Sequence, residues 1–237
     1  MPEREMVLAH CNKCRQKTKH DIVHREMTEG REPDDESGHY TWWTDTYDML
    51  ECRGCGEFHL RHISSFSEAE QSDIYEYPPR ISRSKPEWLG KFPGPFWGGE
   101  TEIEQLLNEV YAAVHNGSLR LAAIGTRALL EHVMIDKVGD TGTIAGNIKA
   151  FLSAGFVAPA DQNRFRDKLI EAGHAAMHRG YRPKAKDLNI LLDLTEALIA
   201  SIYVHPFFEG QLEAGIPKRN SLAAPLSTVL PSSRPKK

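Results

Sequence analysis

The sequence predicts an α+β chain, with a small β ribbon at the N-terminus followed by a mainly α, up-and-down helical bundle. Three observations carry this reading. Two Cys-x-x-Cys pairs, Cys11/Cys14 and Cys52/Cys55, lie in a stretch rich in β-branched and aromatic residues. From Glu100 onward, apolar residues recur at helical spacing. A Pro- and Gly-rich run between the two interrupts both patterns. At 237 residues the chain can bury a sizeable core. Its 29 basic residues against 33 acidic ones exclude a uniformly basic nucleic-acid coat. With no unbroken run of eighteen apolar residues, no membrane span is expected.

Residues 1–75 form the first unit. Strands are expected within His10–His20 and Tyr40–Arg61, with a charged loop, Thr28–His39, between them. Two residues between thiolates let one turn place both sulfurs on an edge of a tetrahedron, and two such turns complete the shell. Four soft thiolates suit Zn2+, so one structural ion held by Cys11, Cys14, Cys52 and Cys55 is expected, with a rubredoxin-like iron site or unrelated, redox-active pairs as the alternatives. Such a set leaves no open position for catalysis. Gly54 and Gly56 suit knuckle turns that need positive φ. Lys13, Arg15, Lys17 and Lys19 alternate, so a strand would put all four on one face. With Trp42, Trp43 and Tyr47 nearby, that stripe could hold a phosphate backbone and stacked bases, or simply protect an edge strand. Residues 1–70 nonetheless carry nine basic against fifteen acidic residues. The charged N-terminus MPEREMVLAHCNKC lacks a signal-peptide core, and a reduced, cytoplasmic setting is expected.

Residues 76–99 read as an ordered connector, pinned to the bundle by Trp88, Phe92, Phe96 and Trp97. Residues 100–209 form the bundle. Thr101 and Glu104 make a capping box before the stripe Ile103, Leu106, Leu107, Val110, Tyr111 and Val114. Gly117 ends that helix and Ser118 caps the next, Leu119–Val138, which is expected to bury Leu121, Ala122, Leu129 and Val133. A third helix over about 143–153, a fourth over about 159–178, and a fifth from 185 to 205 stopped by Pro206 complete it. Residues 210–237, Pro- and Ser-rich with five basic residues and one acidic, read as a disordered basic tail.

Two bundle patterns can carry chemistry. One is Arg127-Ala-Leu-Leu-Glu131-His132, and the other runs from Glu171 through His174 to His178 and Arg179. His174 and His178 are spaced i, i+4 and share a helix face. Gly173 beside them suggests a close backbone approach. The pair lacks the Glu of a catalytic zinc helix, since Ala175 follows His174. A histidine can instead deprotonate a ribose hydroxyl, and an arginine can stabilise the phosphate. The bland alternatives are a helix C-terminal cap for His178 and an i, i+4 ion pair between Arg127 and Glu131.

The runs Ala122–His132, Ile144…Ile148 and Gly173–Pro183 resemble the bacterial family of domains of unknown function numbered 4145. Tyr77-Pro78-Pro79 and the cysteine knuckles are similar to members with an N-terminal zinc ribbon. The resemblance covers roughly residues 77–205. It implies a HEPN-like helical domain, a superfamily that includes dimeric, metal-independent ribonucleases of defence systems as well as non-catalytic RNA-binding and assembly modules. It also implies a homodimer, with RNA or a protein as partner. Under it, His178 is the candidate base, Arg127 or Arg179 the phosphate ligand, and His174 an orienting residue. Active HEPN nucleases carry an Arg ahead of the late histidine, whereas Glu171 stands seven residues before His178 here.

The expectation is therefore a zinc-bearing, HEPN-like cytoplasmic protein of a defence or regulatory system. It would bind RNA or a protein, with metal-independent ribonuclease activity open. The rival is a non-enzymatic protein-interaction module with a structural zinc ribbon.

Overall fold

Residues 4–33, 38–90 and 101–213 are described by the structure, a computed structural model. Five strands form one antiparallel meander in chain order: β1 (Met6–Cys11), β2 (Gln16–Pro33), β3 (Tyr40–Cys52), β4 (Phe58–Phe66) and β5 (Asp73–Tyr77). Strand alternation turns Ala9, Ile22 and Leu50 inward against half-buried Val7, a very small apolar core. The rest of the interior is polar. His20 is fully buried and meets His59 edge to face, ring centroids 4.9 Å apart. Asp48 is fully buried between two guanidinium groups, 2.6 Å from Arg25 Nε and 2.7 Å from an Arg61 nitrogen. A bulge between Ile22 and His24 shifts the register by one residue, which sets Arg25 rather than His24 opposite Asp48.

The segment expected as a loop over Thr28–His39 is instead strand as far as Pro33, where β2 pairs with Tyr40–Asp45. Its backbone finds partners in β3, so the hairpin extends without burying side chains. Gly30 makes this possible: a Cβ there would fall 2.1 Å from the Trp43 ring, which lies across it. Residues 34–37 are outside the described residues.

Helices α1 (Glu102–His115), α2 (Leu119–Val138) and α3 (Ile144–Ser153) follow the sequence pattern closely. Thr101 and Glu104 make the capping box reciprocally. Ser118 occupies the N-cap position of α2 without a side-chain cap bond, and Leu121 is exposed rather than buried. Helix α4 (162–178) begins after a 3-10 turn at Pro159–Asp161, widens into a π turn over Phe165–Ile170, and ends in Glu171–His178. Helix α5 (185–213) is regular over Ala185–Ile199, widens over Ala200–Val204, and continues as His205–Glu213. Pro206 therefore does not stop it. The missing proline amide falls in the first turn after the π segment, where the hydrogen-bond register has already slipped by one residue. Residues 214–237, the rest of the expected tail, lie outside the described residues.

Helix α2 is the hub and touches α1, α3, α4 and α5. Tyr111, Phe151, Leu107, Leu129 and Leu192 are fully buried around it. Helix α5 is long and apolar enough by composition to cross a membrane, but Leu188, Leu192, Thr195 and Ile199 are buried in this core.

The connector is pinned as expected by Trp88, which packs on the helical core with Leu89. Phe92, Phe96 and Trp97 are outside the described residues. The stronger anchor is Arg83. Its guanidinium donates to Glu196 Oε2 at 2.8 Å, Asp193 Oδ1 at 2.7 Å and the Asn189 carbonyl at 3.3 Å. The Tyr111 hydroxyl donates to Glu196 Oε1 at 2.5 Å, and His115 Nε2 meets the Arg83 carbonyl at 3.0 Å. Burial works against the charged Arg83 and against ionised Tyr111. Glu196 overcomes this for Arg83, whose pKa rises, and adds to the upward shift of Tyr111.

Two outcomes follow from these charge pairs. Arg83→Ala leaves Glu196 without its cation in a mostly buried setting, and should cost about 3 kcal/mol in thermal or denaturant unfolding. Arg83→Lys should recover only part, because an ammonium cannot fork between two carboxylates. Burial alone would raise the Asp48 pKa, but Arg25 and Arg61 hold it below the ordinary carboxylate value. Its stabilisation is thus complete above that ordinary value and is lost as pH falls toward the lowered one. Asp48→Asn should destabilise the sheet by about 3 kcal/mol at neutral pH and flatten the acid limb of its stability curve.

Candidate functional site

Two similar turns bring the four cysteines together. In the first, the Arg15 amide donates to the Cys11 carbonyl at 2.7 Å; in the second, the Gly56 amide donates to the Cys52 carbonyl at 2.8 Å. The closing residue is left-handed in both, with φ 57° at Arg15 and 72° at Gly56. Of the two glycines marked in the sequence, only Gly56 has positive φ. Gly54 has another role, since a Cβ there would touch the Cys14 and Cys52 sulfurs at 3.5 and 3.7 Å.

All four sulfurs lie within 4.8 Å of one another, with Cys11–Cys55 at 3.5 Å and Cys14–Cys52 at 3.9 Å. Tetrahedral Zn–S bonds of about 2.3 Å require sulfurs about 3.8 Å apart, so the donor set and spacing are compatible with a zinc site. The surroundings favour thiolate unevenly. Burial pushes the Cys11 thiol up. Burial also opposes ionisation of Cys52, but the Thr18 hydroxyl and the amides of Cys55 and Gly54 bring it down to about 6. Cys55 beside it is the main cause that pushes Cys14 up to about 12. Four sulfurs this close cannot all ionise without a cation among them.

Two residues around the cluster escape any argument from spacing. Thr18 Oγ1 sits 3.2 Å from Cys52 Sγ. The Asn12 side chain donates to the Pro79 carbonyl at 3.0 Å and accepts from the Ile81 amide at 2.9 Å, which ties the first knuckle to the connector. Their only sequence signal is a polar residue beside a cysteine knuckle.

The expected single-faced stripe of Lys13, Arg15, Lys17 and Lys19 does not form. Lys13 and Arg15 belong to the knuckle turn, and Lys13 faces Glu57 at 3.6 Å; only Lys17 and Lys19 lie on β2. Trp42 and Trp43, adjacent on β3, point to opposite faces of the sheet.

The second candidate region is the seam of α2 and α4. A Cβ at Gly173 would fall 2.4 Å from Arg127 Cβ and 2.9 Å from the Ala123 carbonyl oxygen, so glycine permits the close approach the sequence suggested. Arg127 lies along this contact. Its Nη1 reaches Met177 Sδ at 3.9 Å, and its Nε is buried with no hydrogen-bond partner. The expected alternative pair with Glu131 is not among its contacts. His174 is half-buried and His178 exposed, with ring centroids 4.8 Å apart. Each histidine is one residue from a position that touches Arg127, though no hydrogen bond joins them to it among the described residues. Arg179 is paired with Glu171 at the surface. His132 turns away to Glu102 at 3.7 Å. Arg127, His174 and His178 therefore share a seam, whereas Arg179 and His132 are engaged elsewhere.

Together the fold and sites define a curled five-stranded sheet with a four-cysteine cluster, joined to a five-helix unit in which Arg127 lies along the α2–α4 contact. A family model described as Domain of unknown function (DUF4145) matches residues 108–221, and this supports that family for the helical part of the chain. No curated protein and no solved structure matches the chain.

Purified protein should carry about one zinc per chain by metal analysis. Cys11→Ser should lower that content and melt the sheet's circular dichroism and near-ultraviolet signal, while the helical signal persists. A full zinc complement in Cys11→Ser would argue against this cluster as the metal site.

Proposed function

We propose that this chain is a HEPN-like, RNA-binding module of a bacterial defence or regulatory system, with its N-terminal sheet held by one structural zinc. The observation that carries the RNA reading is the half-buried Arg127, which has no carboxylate partner among the described residues and whose Nη1 meets only Met177 Sδ, next to the His174–His178 pair. An arginine without a carboxylate at a half-exposed helix seam is a ready ligand for a phosphate oxygen. The geometry favours binding over turnover. His178 is exposed, and among the described residues no hydrogen bond orients it as a base. A homodimer belongs to this reading through the family resemblance, and a cytoplasmic setting through the paired cysteines, which suit a reduced compartment.

A second reading, a protein-interaction module, is favoured by one feature. A groove of about 820 Å³ lies between α4 and α5, with Ala172, Ala175, Ile190, Leu191 and Leu194 among its lining residues. It is separate from the Arg127 contact, so the two readings can be tested independently.

The experiment is titration and incubation of mixed structured and single-stranded RNA with wild type, Arg127→Ala and His178→Ala, without added divalent metal. Zinc content should be checked in each sample. Binding should weaken by about 1–3 kcal/mol in Arg127→Ala and should fall with salt. Cleavage that disappears in His178→Ala would promote the chain to a metal-independent ribonuclease. Absence of RNA binding by wild type would transfer the assignment to the protein-interaction reading.

A further inference from the structure

The sheet face opposite the small apolar core carries a row of rings that neither the metal cluster nor the helical seam uses. Tyr47 on β3, His62 on β4 and Tyr75 on β5 stand side by side in register. Tyr47 and His62 stack with centroids 4.4 Å apart and planes 8° from parallel, and His62 stacks on Tyr75 at 5.5 Å. Asp45 Oδ1 lies 2.8 Å from His62 Nε2 and fixes the central ring edge-on. The outer ring is open, Tyr75 being 46% exposed. Met49 and Tyr77 extend the apolar surface in the next row, and Tyr77 is 52% exposed.

The charge on this face has one sign. Glu26 lies opposite Tyr47 in the ring row, and Asp45 and Asp73 stand in the row beside it. No Lys or Arg occupies any of the twelve positions formed by these three rows across β2 to β5. Stacked rings among carboxylates attract a cation and repel a phosphate backbone.

The chain contains a segment of matching chemistry. Residues 214–237 hold Lys218, Arg219, Arg234, Lys236 and Lys237 and no acidic residue, with prolines at 217, 225, 231 and 235. Proline stacks well on aromatic rings and favours an extended path of about 3.1 Å per residue. The three strands that carry the rings span about 10 Å, close to the length of the four residues Arg234-Pro235-Lys236-Lys237. The 24 residues after Glu213 can extend by up to about 80 Å, which allows the reach.

We propose that the Tyr47–His62–Tyr75 row is a docking face for the basic segment 214–237 of this chain, with residues 234–237 crossing the rings. Pro235 packs on a tyrosine, and the flanking cations face Glu26 and the Asp45–Asp73 side. The face is thus an intrachain or copy-to-copy receptor on the sheet, separate from the RNA-binding seam.

The test uses the full chain carrying Arg234→Glu, Lys236→Glu and Lys237→Glu, so that its own segment does not compete. A fluorescent synthetic peptide of residues 214–237 is titrated into it and followed by anisotropy. Saturable binding is expected, weakened about tenfold by Tyr75→Ala, largely kept by Tyr75→Phe, and reduced as salt is raised. Asp73→Asn with Glu26→Gln, both at exposed carboxylates, should weaken it similarly and covers the case in which Tyr75→Ala misfolds. No saturable binding into the millimolar range, or equal binding by the aromatic and carboxylate variants, would overturn the proposal. Displacement of the peptide by an oligoadenylate that itself needs Tyr75 would also overturn it and assign the face to nucleic acid.

Discussion

The closure of four sulfurs at the base of the sheet is the constraint on which the N-terminal half depends. Full burial of Ala9, Ile22 and Leu50 offers only a few kcal/mol, at roughly 2 kcal/mol for a large aliphatic side chain. The strands above the cluster bury few aliphatic side chains, and their interior is filled by His20, His59 and Asp48. A structural zinc in comparable small domains contributes about 10–16 kcal/mol of apparent binding energy, which exceeds anything this apolar core supplies. The β2–β3 hairpin projects beyond the four-cysteine cluster without a core of its own.

The helical half is organised differently, by close packing around α2. Gly173 is the point at which α4 approaches nearest, and the approach strips Arg127 Nε of solvent without giving it a partner. The same contact that tightens the bundle thus leaves a guanidinium seeking an acceptor.

The legible parts of the sequence were those where one residue type has one use. The paired cysteines announced the cluster, and the stripe from Ile103 to Val114 and the limits of α2 followed from helical spacing. The extension of β2 through Pro33 was not legible, because a strand exposed on both faces has no alternation to read. Helix α5 passes Pro206 because a π turn comes first, and no local composition signals that slip. Leu121 looked like core by type and is exposed, since the face a helix buries depends on its neighbours. Within the seam, Gly173 was legible as a close approach, but the divergence of His132 and Arg179 toward separate carboxylates depends on tertiary placement.

One feature couples the two halves. The connector is held by the first knuckle at the Ile81 amide and by α5 at the Arg83 guanidinium, only two residues apart. Two residues of extended backbone cover at most about 7 Å. The first cysteine turn and the middle of α5 are therefore joined by a strap almost without slack. A change in the shape of the knuckle therefore has little backbone between the two anchors to absorb it, and what remains falls on the Arg83 side chain and its contacts with α5.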